Sequence, residues 1–291
     1  MIKTGSKLFL GAALMTSALL ADVTTLLPYV ATIQYSNDSA KSIKDSGTIG
    51  GLYFSHGNLD YLVELDYAKT DIKYKDGLYD NLKQDDITAA YSRYFESFFV
   101  KLGLHHTSTT DPTLGNGDTL IATLGGYTWN EADKYSYTIE TYYSRYKDGF
   151  DESNVAKKIT LFQMTPSVTV SKAIDINTRN NFTVKLNFIT TNDYIQDSYF
   201  SYEVQDTLYY KSFFVNAKIY GGEMKTGVKD GGNTVYNTKD LLKNGYGLKL
   251  GYYITPSMIL SAGYDRNNYR EYESTKDGSF EVALLTFTYT F

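Results

Sequence analysis

The sequence has no cysteine, four prolines, one tryptophan and three histidines among 291 residues. Without cysteine there are no disulfides and no thiolate metal sites. The histidines are His56, His105 and His106. Neighbouring residues of a strand point to opposite faces, so the adjacent pair cannot share a metal on one. The chain also lacks long hydrophobic runs: its mean hydropathy is −0.33. Beyond the first residues, nothing reaches the ~20 apolar residues of a spanning helix. Nor is there a basic surplus, since 28 Lys+Arg face 33 Asp+Glu. That balance disfavours a nucleic-acid partner, which wants a basic stripe.

What is abundant is aromatic: 29 Tyr and 15 Phe. A soluble core gains little from so many tyrosines, because each buried hydroxyl needs a partner. A sheet that crosses lipid has two water interfaces, where an apolar ring with a polar tip is favoured. The first residues read as a targeting signal, with Lys3 and Lys7 ahead of an apolar run over 8–20. Ser17, Ala18 and Ala21 supply small side chains near a cut, expected after Ala21. The domain expectation is therefore a signal peptide over 1–21 and one domain over 22–291. Removing the signal takes away two lysines and no acid, so the remainder is more acidic still.

From Leu26 onward, apolar residues alternate with polar ones at period two. At the end of the chain Ala283, Leu285, Phe287, Tyr289 and Phe291 share one face, opposite Thr286, Thr288 and Thr290. An aromatic final residue after alternating aromatics resembles the C-terminal signature of bacterial outer-membrane barrels. That resemblance makes Phe287, Tyr289 and Phe291 the expected insertion signal. It implies outer-membrane lipid as surroundings, and periplasmic chaperones and the barrel-assembly machinery as partners.

Fourteen alternating segments are centred near Ala31, Leu52, Val63, Ala90, Leu102, Leu124, Ile139, Met164, Leu186, Tyr202, Ala217, Leu250, Leu260 and Leu285. Twelve or sixteen strands also accommodate the pattern. Tight links alternate with long polar ones, as periplasmic and extracellular connections do in such barrels. The link over 172–181 looks long for a turn, and that over 191–197 short for an outer loop. Arg93 and Asp206 fall on nominally apolar faces. The expected fold is all-β: a transmembrane antiparallel up-and-down barrel without a plug domain. In size and strand number it resembles the monomeric fourteen-stranded outer-membrane porins of Gram-negative bacteria. In that class a long outer loop can fold over the pore, and 223–244 is the longest candidate, with Leu241 and Leu242 to pack over the mouth.

The function expected is passive diffusion of small polar solutes or ions, without a cofactor and without catalysis. The alternatives are a closed structural or adhesive barrel and a barrel-embedded hydrolase. The alternation predicts that His105 points inward and His106 outward. It turns Asp60, Glu64, Asp66, Glu140, Glu203 and Asp265 into the pore, against Lys101, Lys185, Lys218 and Lys249. Acids outnumber bases in that set, so a weak cation preference is expected. Ordinary solvation or salt bridges within the wall account for these charges better than a tuned constriction does. One weak repeat stands out: residues 94–100 (YFESFFV) resemble 209–215 (YYKSFFV), each an aromatic hairpin.

Overall fold

Period-two patterning makes strands, and in lipid every strand must find a neighbour on both edges. The computed structural model describes residues 22–77, 79–111, 114–150, 156–192, 196–236, 238–272 and 274–291. The expected signal peptide lies outside them. The first strands are β1 (Val23–Tyr35), β2 (Lys44–Gly57), β3 (Tyr61–Tyr74), β4 (Leu82–Tyr94) and β5 (Phe98–Thr109). Next come β6 (Gly117–Asn130), β7 (Asp133–Phe150), β8 (Ala156–Asp175), β9 (Thr178–Thr191), β10 (Ser198–Tyr210) and β11 (Phe213–Gly222). Three two-residue strands follow: β12 (Met224–Lys225), β13 (Val228–Lys229) and β14 (Thr234–Val235). The last are β15 (Leu241–Thr255), β16 (Met258–Arg270) and β17 (Asp277–Thr290).

All long strands pair antiparallel with their sequence neighbours, β11 pairs with β15, and β17 returns to β1. The result is a closed ring of fourteen. Each of the fourteen segments read from the sequence falls on its own strand. The closing seam runs from Thr25↔Thr290 to Tyr35↔Phe280. Beyond it, Thr24 and Phe291 exchange two backbone hydrogen bonds, each 2.9 Å. The ladder is thus closed to the final residue.

The links at one end are tight, at 58–60, 95–97, 131–132, 176–177, 211–212 and 256–257. Two of them place a non-glycine residue at positive φ: Glu131 at 54° and Lys211 at 50°. The expectation of a long link over 172–181 is corrected. β8 and β9 continue to Asp175 and Thr178, and the turn is pinned by the Asn177 amide donating to Asp175 Oδ1 at 2.7 Å. Its polar residues had hidden two strand ends. The connection over 192–197 is indeed short.

Leu102, Leu104, Leu120, Leu124 and Val168 stand on the outer face, each more than half exposed, as a wall meeting lipid requires. Arg93 and Asp206 do lie on that face. Asp206 sits near the tight-turn rim and accepts from Asn180 Nδ2 at 2.6 Å. Among the described residues the largest apolar cluster of the interior lies at the long-loop end. There Ile33, Tyr35, Ile72, Leu82, Leu161, Ile189, Tyr199, Leu242 and Tyr269 converge from opposite walls with Met224.

Aromatic rings cover glycines on neighbouring strands. A Cβ on Gly251 would lie 1.9 Å from the Phe214 ring, and one on Gly125 2.2 Å from Phe99. Two predictions follow from the seam and these contacts. Replacing Phe291 by Asp should reduce the amount of heat-modifiable folded barrel, measured by electrophoresis, without reducing export. Gly251→Val should lower the temperature at which the folded band is lost, by the equivalent of about 1–3 kcal/mol for an overpacked site.

Candidate functional site: a loop seated in the lumen

Fourteen strands enclose more space than wall side chains fill, since about eight strands already reach that limit. Here the connection from β11 to β15 turns inward. The sequence-based expectation that this segment covers the pore is met by a deeper placement, inside the ring. Leu242 joins the apolar cluster at the mouth, with Leu241 packed against it.

The turn at the loop's apex has three successive positive φ angles: Asp230 at 54°, Gly231 at 66° and Gly232 at 99°. Such a run favours glycine, and space requires it too. A Cβ on Gly232 would lie 2.1 Å from Ile121 Cδ1. Gln163, on β8, clamps the loop backbone from both sides. Its Nε2 donates to the Val228 carbonyl at 2.7 Å, and its Oε1 accepts from the Val228 amide at 2.8 Å. Lys229 Nζ lies 3.4 Å from Glu203 Oε2 and 4.1 Å from the centre of the Tyr220 ring. The Asp230 carboxylate is open to lumenal water and feels the charges of Lys185, Lys218 and Lys229. A cavity of about 10 Å³, one water's worth, remains between Glu140, Lys185, Glu203 and Asp230.

On the opposite wall, Thr88 Oγ1 lies 2.7 Å from His105 Nδ1 and 3.4 Å from the Gly232 carbonyl. His105 Nε2 lies 3.2 Å from Asp86 Oδ1 and 3.0 Å from Thr107 Oγ1. His105 is buried and His106 exposed, as the alternation required.

At the mouth, Lys44 pairs with Asp240 and lies 3.6 Å from Glu271 Oε1. The Glu271 carboxylate also accepts from the Ile43 amide at 2.7 Å, and Tyr269 donates to Ser42 at 2.7 Å. Burial pushes the Glu271 carboxyl above its ordinary range, opposed by the Lys44 charge. Three loops are thereby tied together over the entrance.

The charges singled out from the sequence settle into local partnerships. Glu64 pairs with Lys101 at 2.8 Å, across β4 where Ala90 leaves room. Lys185 pairs with Glu203 at 3.2 Å. Lys218 meets Asp265 at 3.0 Å over Gly247, the residue in register between them. Asp66 accepts from the Tyr29 hydroxyl at 3.3 Å, and Glu140 from Tyr142 at 2.6 Å. Lys249 turns inward without an ion pair among the described residues. Asp60 is the exception: it lies exposed in the turn before β3, outside the pore. Phe287, Tyr289 and Phe291 face outward, the last two stacked at 5.4 Å.

Sequence reading missed Gln163, Lys229 and Asp230, because only the loop's path brings them together. It also left Lys134, Arg179 and Asp86 out of the inward charges, so that census no longer sets a sign of ion preference.

No family model and no curated protein matches the chain. Solved structures do. A TodX monoaromatic hydrocarbon channel mutant matches with a TM-score of 0.53 at 9% identity, over 96% of this chain and 92% of that one. The CymD monoaromatic hydrocarbon channel matches with a TM-score of 0.52 at 8% identity, over 100% and 94%. Omp33 of Acinetobacter baumannii matches at 0.52 and 9%, over 92% and 99%. At such identities the likeness concerns the fold. The fold is that of bacterial outer-membrane barrels of fourteen strands.

The loop's polar contacts contribute about 1 kcal/mol each, and burial of Met224 and Val228 about 1.5–3 kcal/mol each. The two sets are of similar size, so losing one polar contact loosens the loop without releasing it. Gln163→Ala should raise its proteolytic sensitivity by roughly thirtyfold, for about 2 kcal/mol over two bonds. Gly232→Leu should expel it, read as full cleavage between β11 and β15 with the barrel intact.

Proposed function

We propose that this chain is an outer-membrane channel for small polar solutes and ions, with residues 1–21 as its export signal. The observation that carries this reading is how the lumen is filled. A barrel built only to be closed would be filled by its wall, whereas here one loop occupies a charged interior. A handful of contacts holds that loop, within reach of thermal opening. The rest of the interior is polar, with Asp66, Glu140, Lys218, Lys249 and Asp265 around the loop rather than an apolar tunnel. Two of the structural neighbours are monoaromatic hydrocarbon channels. The apolar cluster at the mouth gives that solute class a foothold here as well.

The hydrolase reading has one feature in its favour, since Thr88, His105 and Asp86 are spaced like a nucleophile, base and orienting acid. Thr88 is 3% exposed and its hydroxyl faces the Gly232 carbonyl, which leaves no place for a carbonyl under attack. The trio is better explained as a latch on the loop.

Planar-bilayer recording tests the channel. The wild type should give discrete openings, and a variant with residues 226–237 replaced by a short Gly-Ser link should conduct several-fold more. Absence of conductance in both would leave the closed structural barrel as the surviving reading.

A further inference from the structure

Lipid accounts for aromatic residues that face outward near a membrane interface, but not for those that face inward. At the tight-turn end the lumen carries such a layer. Tyr94 and Phe99 pair at 5.5 Å, Tyr209 and Phe214 at 5.8 Å, and Phe214 and Tyr253 at 6.2 Å. These are the two hairpins of the weak sequence repeat, now six strands apart around the ring. Each belongs to a layer at the strand ends, from the last residue of β4 to the third from the end of β15, within roughly 7 Å of the rim along the strand. Phe99 and Phe214 have a structural task, covering Gly125 and Gly251. Tyr127 donates its hydroxyl to the Phe95 carbonyl at 3.3 Å, leaving its ring face free, and Trp129, Tyr209 and Tyr253 cover no glycine among the described residues.

Two cations stand in the same layer. Lys134 Nζ lies 4.7 Å from the Tyr127 ring centre and 5.5 Å from that of Trp129. Arg179 is two strands away, about 10 Å across β8, and its charge acts on both Lys134 and Tyr209. Among the described residues neither cation has an ion-pair partner. Of the nearby acids, Glu131 lies in a turn, and Asp133 and Asp175 are the end residues of β7 and β8. Asp175 is occupied by the Asn177 amide at 2.7 Å and the Thr178 hydroxyl at 2.9 Å. The facing arc offers hydroxyls instead, with Thr25 and Thr290 3.3 Å apart.

Elsewhere in the lumen acids are paired or hydrogen-bonded within the wall. Two cations held without a carboxylate, between inward rings, form a receptor for a flat ring bearing one negative charge. We infer that the tight-turn mouth of the lumen binds small aromatic carboxylates. Lys134 and Arg179 hold the carboxylate, and Tyr127, Trp129 and Tyr209 contact the ring. The inference refines the channel reading and rests on it for physiological meaning, but binding itself does not require conductance.

The test uses Trp129, the only tryptophan in the chain, as its own reporter. The mature protein, folded in detergent micelles, is titrated with benzoate while tryptophan fluorescence is followed. Saturable quenching is expected, about tenfold weaker for benzyl alcohol, which keeps the ring, and for acetate, which keeps the charge. One charge-assisted contact is of that order. Lys134→Gln and Arg179→Gln should each weaken benzoate binding about tenfold, and Lys134→Arg should retain it. Heat-modifiable migration checks that each variant is folded. Should a variant fail to fold, the benzyl alcohol and acetate comparisons on the wild type decide the matter alone. Unsaturable quenching, or equal affinity for benzoate and benzyl alcohol, would overturn the site. Benzoate binding without conductance in bilayers would sink the channel reading and leave the site standing; conductance without benzoate binding would do the reverse.

Discussion

Everything in this molecule follows from the requirement that backbone amides and carbonyls crossing lipid be paired. A hydrocarbon interior offers no water, so an unpaired strand edge costs several kcal/mol per group. The ladder therefore closes, and it closes through β1 and β17, from opposite ends of the chain. The two hydrogen bonds between Thr24 and Phe291 bring pairing to the last residue. Once the ring is closed, alternation assigns each side chain to lipid or lumen. The outer face becomes largely apolar, its charges lying toward the strand ends as with Arg93, Asp206 and the Arg266–Glu281 pair, and the inner face takes charge at every depth.

Closure at fourteen strands creates a second requirement, because the ring is too wide for its own side chains to fill. The interior is divided by height instead. The long-loop end is sealed by apolar residues from opposite walls and by the Lys44, Asp240 and Glu271 cluster. The middle holds the returning loop, whose backbone is satisfied by Gln163 and Thr88 rather than by water. The tight-turn end is lined by rings and cations. A lumen so graded presents different chemistry to a solute at each depth.

The electrostatics are local. Glu64 with Lys101, Glu203 with Lys185, and Asp265 with Lys218 each neutralise within a few strands. A field across the pore between an acidic and a basic wall does not survive this pairing. Small residues make the pairing geometrically feasible. Gly247 lies under the Lys218–Asp265 bridge, where a Cβ would fall 1.9 Å from Asp265 Oδ1. The glycines of this lumen thus set which charges meet.

The sequence by itself determined the strand segments, the lipid-facing set and the inward turn of His105, since alternation is a local property that each residue reports directly. It left twelve and sixteen strands beside the fourteen that the closed ring holds. That the loop goes inside the ring was decided by the tertiary structure; the sequence marked 223–244 only as the segment able to fold over the pore, through length and the resemblance in class. It misjudged the ends of β8 and β9, where polar residues near a rim look like loop, and it put Asp60 on a strand that starts one residue later. The partner of each charge was beyond its reach. Glu64 meets Lys101 and Lys218 meets Asp265 through strand register, and Lys229 reaches Glu203 through the path of a loop. Register and loop path are properties of the closed ring, fixed only when all fourteen strands have taken their places.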